Sequence, residues 1–353
     1  MRTNRTMIKK TNFAKINILS TVLISFFMIG CKSSEEEQKS PPSNSFTYAP
    51  VSCSTTTSKT SCSNTTTLTN IPSAYLTAMT KYTTFNTTYG INVCTEDSDK
   101  DGTQDYMVVE SSNRPKHKSY YWGTTHVLYE AFDFATNLYK YAAAKVAAGY
   151  TGTPAAAGPN MIDEECVIMK MPISPAVAST KSIPGMSTMG LALNGVSFFN
   201  EVAKSPDIIT DELFTFDQCS GHPQDGGTYH YHVDPVCLIR DLGGDVKTST
   251  QTVDGTTYTW LDDNGTNGLL LLGFLMDGFP VYGPVGDNHT DSDNNSTPAI
   301  DTYNGHSHST SEFSSGIWHY HIKTANIGAS ADPLLWITNS AYYGTPGSVT
   351  FGQ

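Results

Sequence analysis

Short runs of β-branched and aromatic residues, separated by clusters of Gly, Asp, Asn and Pro, dominate the chain after about residue 90. Runs of this kind are typical of strands bounded by turns. The predicted strands cover residues 106–109, 166–169, 229–233, 258–260, 269–274 and 317–322. The pattern therefore predicts a mainly β fold.

One stretch instead has apolar residues at helical spacing. Between residues 126 and 148, the side chains recurring with this period are Leu128, Phe132, Ala135, Leu138, Tyr139, Ala142 and Val146. Gly149 then provides a plausible stop. We therefore expect one helical insertion in the β fold, at about residues 126–148.

The N-terminus carries an export pattern. Its first thirty residues contain five basic and no acidic side chains, and the apolar run 16–29 ends at Gly30-Cys31. Such a run is short for a membrane span, which needs about 20 residues. We predict a lipoprotein signal peptide over residues 1–30, a lipidated Cys31 and a disordered polar tether over 31–42, with simple secretion or an uncleaved anchor as alternatives. The expected location is the bacterial cell envelope, at the outer membrane or cell surface, with membrane contact only through the lipid.

Loss of the signal peptide would make the chain strongly acidic. The basic count would fall from 21 to 16 against 33 acidic residues, for a formal net charge of −17. Nucleic acid is therefore excluded as an expected partner, whereas divalent cations suit such a surface. No protein or glycan partner can be predicted.

Six cysteines remain besides Cys31, an even number that favours disulfides in an exported chain. No two have the close spacing of a thiolate zinc site. Local pairing predicts the bonds Cys53–Cys62 and Cys219–Cys237, which leaves Cys94 to pair with Cys166. The expected organisation is a small Thr-rich, disulfide-tied segment over residues 43–90, followed by one β domain over 91–353.

Three sequence elements recur in the same order within that domain. The matching stretches are 190–199 with 273–282, 217–222 with 301–306, and 229–232 with 318–321, at offsets of 83, 84 and 89 residues. Repetition in one order indicates equivalent supersecondary units. We predict two pseudo-symmetric β-units, at about 190–237 and 273–323, that form one sandwich- or barrel-like domain.

The repeated elements are rich in histidine. Alternate side chains of a strand share a face, so His230 and His232 should project together, as should His319 and His321. One further histidine of each repeat follows a glycine, which gives the candidate ligands His222, His230, His232, His306, His319 and His321, with His308 as an additional one.

Three neutral imidazoles can hold Zn²⁺ or Cu²⁺, which should leave below about pH 6 as the imidazoles protonate. Simple packing of histidines across a sheet is the alternative, but it does not explain why three elements recur together. The spacing leaves open whether the repeats share one site or hold two.

The dipeptides Asn194-Gly195 and Asp277-Gly278 separate apolar runs and predict hairpin turns. A second interpretation is that Asn194 and Asp277, together with Asp217 and Asp301, orient the imidazoles.

A separate acidic loop has calcium-binding spacing. Carboxylates occupy loop positions one, three, five and nine, and Gly102 is at position six; the acidic residues are Asp97, Asp99, Asp101 and Asp105. Position twelve is Val108 rather than glutamate, so the loop is similar to those of integrin-type and thrombospondin-type repeats rather than to a helix-loop-helix site. We predict that it binds Ca²⁺, with a solvated acidic turn as the alternative.

Several of these motifs together resemble the YHYH protein family. The similar stretches are 110–117, 193–196, 216–222, 229–232, 276–284, 304–306 and 318–321, so the resemblance spans about residues 105–323. The chain departs from the pattern at Arg114, Tyr303 and Trp318. The resemblance implies an exported β-rich protein, often lipid-anchored, and adds weight to His117, but it implies no particular reaction.

The leading functional hypothesis is a cell-envelope lipoprotein that binds a transition metal at the histidines and calcium at the acidic loop. The alternatives are a metal-dependent enzyme, either a hydrolase or a copper oxidoreductase, and a calcium-stabilised adhesin or interaction module. The sequence contains no Gly-x-Ser-x-Gly, His-Glu-x-x-His or phosphate-loop motif that would indicate a familiar enzyme class.

Overall fold

Strands form most of the regular structure. The computed structural model describes residues 75, 77, 81, 90–133, 135–137, 160–205, 207, 209–253, 255–285, 300–326, 333–337 and 341–352. In chain order the strands are β1 (Ile91–Glu96), β2 (Tyr106–Ser111), β3 (Cys166–Pro172), β4 (Gly190–Ala192), β5 (Ser197–Phe198), β6 (Gly221–Pro223), β7 (Tyr229–Tyr231), β8 (Val246–Val253), β9 (Thr256–Asp263), β10 (Leu271–Leu275), β11 (Pro280–Val285), β12 (Gly305–His308), β13 (Ile317–Asn326), β14 (Pro333–Trp336) and β15 (Ser348–Gly352). The short helices are α1 (Ile209–Glu212), which a 3₁₀ turn at Leu213–Thr215 follows, and α2 (Val236–Asp241).

The largest sheet has a symmetric strand order. Eight strands run β12-β13-β11-β10-β4-β5-β7-β6, and β14 adds to β13. In each half, an antiparallel hairpin pair is followed by a parallel pair and then by an antiparallel pair. The two sequence repeats therefore form equivalent halves of one sheet, as predicted.

The halves meet at the β4–β10 ladder, where Leu191 pairs with Phe274. These two residues are equivalent positions of the repeat, 83 residues apart. A residue that pairs with its own counterpart marks the approximate two-fold axis. The approach is close, because a Cβ on Gly273 would lie 2.3 Å from the Leu191 carbonyl oxygen. Glycine is thus required beside the axis.

A second sheet, ordered β1-β2-β3-β15, is antiparallel throughout. Its buried Met107 and Met169 pack in one hydrophobic cluster with Leu191 and Phe274 of the large sheet. A second cluster covers the tyrosine-bearing faces of β7 and β13. The described residues belong to one compact unit, and none of their sheets closes on itself. A sandwich-like arrangement is therefore confirmed, rather than a barrel.

The predicted helix does not begin at His126. Residues 126–133 form turns and irregular chain, and 135–137 form a turn. Ser119 fixes this course, because its backbone N–H donates to Leu128 and its carbonyl accepts from Glu130. Burial of Leu128 in the core thus prevails over helical periodicity. Residues 138–148 lie outside the described part of the chain.

The predicted Cys219–Cys237 disulfide is confirmed, with a Cα–Cα distance of 5.0 Å. Cys94 and Cys166 are both disulfide-bonded, but they lie on β1 and β3 with β2 between them. Two strand spacings total about 10 Å, which exceeds the Cα separation of a disulfide. The predicted Cys94–Cys166 bond is therefore wrong. The predictions for Cys31, Cys53 and Cys62 fall outside the described residues.

Candidate metal centres

The adjacent strands β6 and β7 bring three histidines together, which we call cluster 1: His222, His230 and His232. His222 is the register partner of His230 across the ladder. The Nε2 atoms of His230 and His232 are 3.0 Å apart, and one nitrogen of each of the three rings lies within 4.8 Å of the others. All three side chains are buried.

Backbone carbonyls determine which ring nitrogen of this cluster carries the proton. His230 Nδ1 lies 3.0 Å from the Thr228 carbonyl oxygen, and His232 Nδ1 bonds to the Asn200 carbonyl oxygen. A carbonyl only accepts, so each Nδ1 carries the proton and each neutral ring has its lone pair on Nε2. Two lone pairs then face each other across 3.0 Å, an arrangement that a shared cation stabilises.

Burial keeps these imidazoles neutral. It lowers the pKa of His232 to about 4. Burial, together with repulsion from neighbouring imidazoles, lowers the pKa of His222 and His230 well below the ordinary value of 6.5. His222 Nδ1 contacts Thr215 Oγ1 at 2.6 Å, whereas its buried Nε2 makes no hydrogen bond. Cluster 1 therefore presents three neutral nitrogen donors at neutral pH.

Cluster 1 lines a cavity of about 710 Å³. Glu212, at the end of α1, also lines it and places its Oε2 atom 3.9 Å from His222 Nε2 and 4.0 Å from His232 Nε2. Burial, reinforced by repulsion from Asp207, raises the pKa of Glu212 to about 7. Glu212 was not predicted from sequence, because it belongs to none of the recurring elements. Only its position ten residues before His222 could have indicated it.

Strands β12 and β13 bring together four histidines, which we call cluster 2: His306, His308, His319 and His321. His306 Nε2 lies 3.0 Å from His321 Nε2 and 3.1 Å from His308 Nε2. His308, predicted only as an additional candidate, is thus one of the four.

In cluster 2, backbone carbonyls again fix the position of the proton on three of the imidazoles. The Nδ1 atoms of His308, His319 and His321 lie 2.8, 3.0 and 3.2 Å from carbonyl oxygens. The carbonyl contacting His321 belongs to Gly283, the repeat counterpart of Asn200 in cluster 1. The Nε2 atoms of His308, His319 and His321 are therefore available donors, as in cluster 1.

The two clusters are separate sites. Strands β5, β4, β10 and β11 lie between β7 and β13. Five strand spacings amount to about 24 Å. One ion therefore cannot be shared by both repeats, which answers the question that the spacing left open.

The acidic and amide residues of the repeats orient aromatic side chains rather than the cluster imidazoles. Asn194 and Asp277 form the predicted hairpin turns and bond to the hydroxyls of Tyr231 and Tyr320. Asp301 accepts a hydrogen bond from the Trp318 indole. These aromatic residues lie on the strand faces opposite the histidines.

Asp217 likewise bonds outside the histidine clusters. It accepts a hydrogen bond from Tyr229 Oη at 2.9 Å and lies 3.0 Å from His117 Nε2. His117 and Asp217 are also near Cys219, but that sulfur is held in the disulfide. The interpretation that these polar residues orient the cluster imidazoles is therefore wrong.

The acidic loop converges only in part. Side-chain oxygens of Asp97, Asp99 and Asp101 lie within 4.8 Å of one another. Asp105 is not in this group, because its carboxylate accepts hydrogen bonds from the backbone N–H and hydroxyl of Ser98. Gly102, at φ +93°, donates its N–H to Asp97 at 2.8 Å.

Within the described ranges, no helix is both long and apolar enough to cross a membrane. Comparisons with curated proteins and with solved structures gave no match. A family comparison matched residues 168–299, a stretch that contains cluster 1 and the β10–β11 hairpin but ends before His306. The family is described as YHYH protein, so residues 168–299 of this chain are a YHYH domain.

Proposed function

We propose that this protein is an exported metal-binding protein that holds one transition-metal ion, Zn²⁺ or Cu²⁺, at each histidine cluster. The observation that carries the proposal is the convergence of buried, neutral Nε2 donors. In cluster 1, two such atoms stand 3.0 Å apart while carbonyls occupy the opposite sides of their rings. Metal-ligating histidines typically have this outer hydrogen bond, which fixes tautomer and orientation.

The donor set supports the choice of metal. Imidazole nitrogen suits zinc and copper, whereas calcium and magnesium prefer oxygen. In the described part of the chain, the converging group at each cluster consists of histidines alone. Packing alone would leave lone pairs facing each other in a buried setting, which is unfavourable unless a cation or proton lies between them.

Metal analysis of matched double variants tests this proposal. Wild type should retain two zinc or copper ions per chain after dialysis. His230→Ala with His232→Ala should lose one, and His319→Ala with His321→Ala should lose the other. His126→Ala, which changes a histidine outside both clusters, should lose none. The proposal fails if wild type, offered both metals, retains neither, or if the double variants keep the full complement.

The remaining parts of the proposal concern calcium and location. Asp97, Asp99 and Asp101 supply oxygen donors that suit Ca²⁺. The Cys219–Cys237 disulfide suits an oxidising compartment. Together with the N-terminal export pattern, these features support a calcium-stabilised protein of the cell envelope, anchored through a lipid on Cys31.

A further inference from the structure

The two clusters differ in how many protein donors they offer. We infer that cluster 2 encloses its metal with four imidazoles, whereas cluster 1 leaves one coordination position open to the cavity, where a water molecule exchanges with small anions. The inference rests on the proposed metal binding and assigns different chemistry to the two sites.

Cluster 1 has no fourth imidazole because Gln224 occupies the position that corresponds to His308 of cluster 2. Gln224 stands 84 residues before His308, the offset of this repeat block. Strand pairing supports this equivalence. His308 is the register partner of Ile317 in the β12–β13 ladder. Gln224 donates its backbone N–H to the carbonyl of Thr228, which is the repeat counterpart of Ile317. The Gln224 amide also donates to the Thr228 hydroxyl at 3.2 Å. Its side chain is therefore engaged beside the imidazoles rather than among them.

The open side of cluster 1 faces a space that can admit a ligand. The cavity of about 710 Å³ is within the range of small-molecule pockets, about 300–1,000 Å³. The charged and amide side chains around it are Asn160, Lys204, Asp207, Glu212, Gln224 and Asp225. A three-histidine metal site with an open position is the arrangement that catalytic zinc sites use, whereas closed four-ligand sites are structural.

Glu212 is placed to act on the exchangeable ligand rather than on the metal. With metal–ligand bonds of about 2.0–2.1 Å, donor atoms of a tetrahedral site lie about 3.3 Å apart. Glu212 Oε2 lies 3.9 and 4.0 Å from two imidazole nitrogens, farther than this spacing, and it is not in the converging group that the three histidines form. It is instead within reach of a water bound at the fourth position. Glu212 is therefore a positioning residue, able to accept a hydrogen bond from that water.

Cobalt-loaded protein titrated with azide tests the inference. Co²⁺ reports its coordination in the visible spectrum, and bound cobalt is counted separately by metal analysis. We expect two cobalt ions per chain and a saturable azide-induced spectral change from one of them. His319→Ala with His321→Ala should keep this change, and His230→Ala with His232→Ala should lose it.

Variants that exchange Gln224 and His308, the residues by which the two clusters differ, provide the matched controls. Gln224→His should abolish the azide response while both cobalt ions stay bound, and His308→Gln should create a second response. Glu212→Gln should keep the cobalt and tighten azide binding severalfold, because a negative charge beside the anion is removed. A loss of cobalt in Glu212→Gln would make Glu212 a ligand and overturn the open position.

The outcomes separate the two proposals. Two cobalt ions without any azide response, or a response that survives loss of cluster 1, would overturn the open site but leave metal binding intact. Failure to bind cobalt, zinc or copper would overturn both.

Discussion

The hydroxyl of Tyr320 donates a 2.6 Å hydrogen bond to the buried carboxylate of Asp277. In the other half of the sheet, Asn194 and Tyr231 make the equivalent contact at 3.1 Å. The two halves thus join equivalent residues with opposite donor direction, because Asp277 accepts where Asn194 donates, and only Asp277 can titrate. Burial raises the pKa of Asp277 to about 6, even though the Tyr320 hydroxyl and backbone N–H groups stabilise the carboxylate.

Replacing Asp277 with Asn should remove one component of the pH dependence of stability. The pKa of Asp277 in the folded state lies above its ordinary value of 3.8, so between pH 3.8 and 6 the folded state binds more protons than the unfolded state. Stability from this group therefore increases as the pH falls through that window, by about 3 kcal/mol. Relative to Asp277→Asn, wild type should gain most of this amount between pH 7 and pH 4. Urea denaturation at both pH values measures the difference, and a difference that does not change with pH would contradict the assigned burial effect.

The cluster histidines should produce the opposite trend in metal-free protein. The pKa of His232 is lowered from 6.5 to about 4, so its stabilising contribution is present above pH 6.5 and is lost as the pH falls toward 4. The loss from this residue alone is about 3 kcal/mol. Denaturation of apo wild type and His232→Gln from pH 7 to pH 4 should show a steeper decline in wild type; parallel curves would refute this.

The same burial changes the expected acid release of metal. Because protons compete for Nε2 only near the lowered pKa of His232, about 4, bound zinc should persist well below pH 6. This revises the release near pH 6 expected from unperturbed histidine. Equilibrium dialysis at stepwise lower pH measures the midpoint of release.

Calcium should stabilise the protein through its acidic loop. Chelation should lower the melting temperature by several degrees, and added calcium should restore it by mass action. Asp99→Ala with Asp101→Ala should abolish the response, because both residues belong to the converging group. Lys100→Ala, in the same loop but without a donor oxygen in its side chain, is the matched control and should keep it. A wild-type protein insensitive to chelation would remove calcium from the proposal.

The Cys219–Cys237 disulfide closes a loop of 18 residues and is buried. Replacing both cysteines with serine should cost about 3 kcal/mol of unfolding free energy. The midpoint of urea denaturation measures this cost. Alkylation of Cys219 and Cys237 in unreduced wild type would show that the bond does not form.

Lipid anchoring can be tested by fractionation. Cys31→Ser should move the protein from the membrane fraction to the soluble one, because a lipoprotein signal requires this cysteine as the acylated residue. A Cys31→Ser protein that stays uncleaved and membrane-bound would instead indicate an uncleaved anchor.

Local patterns predicted the features that depend on strand geometry. Alternation along a strand was sufficient to place His230 and His232 on one face, and duplication was sufficient to predict two equivalent halves. Neither depends on knowing which strands lie side by side.

Features that depend on nonlocal pairing were not predictable in the same way. Cys94 and Cys166 were matched by elimination, which cannot reveal that β2 lies between them. Glu212 lies near His222 only because the end of α1 lies at the cavity. The helical periodicity after His126 was outweighed by burial of Leu128 in a core that the local pattern does not describe.

The pairing of Leu191 with Phe274 resembles the self-complementary contact of a two-fold homodimer, made here within one polypeptide. In a homodimer, every substitution appears in both subunits, so both copies of a site must change together. Fusion into one chain removes that constraint. Histidine at position 308 and glutamine at position 224 can then coexist, as can Asp277 with Asn194. Covalent linkage is thus what allows two structurally equivalent halves to have different chemistry.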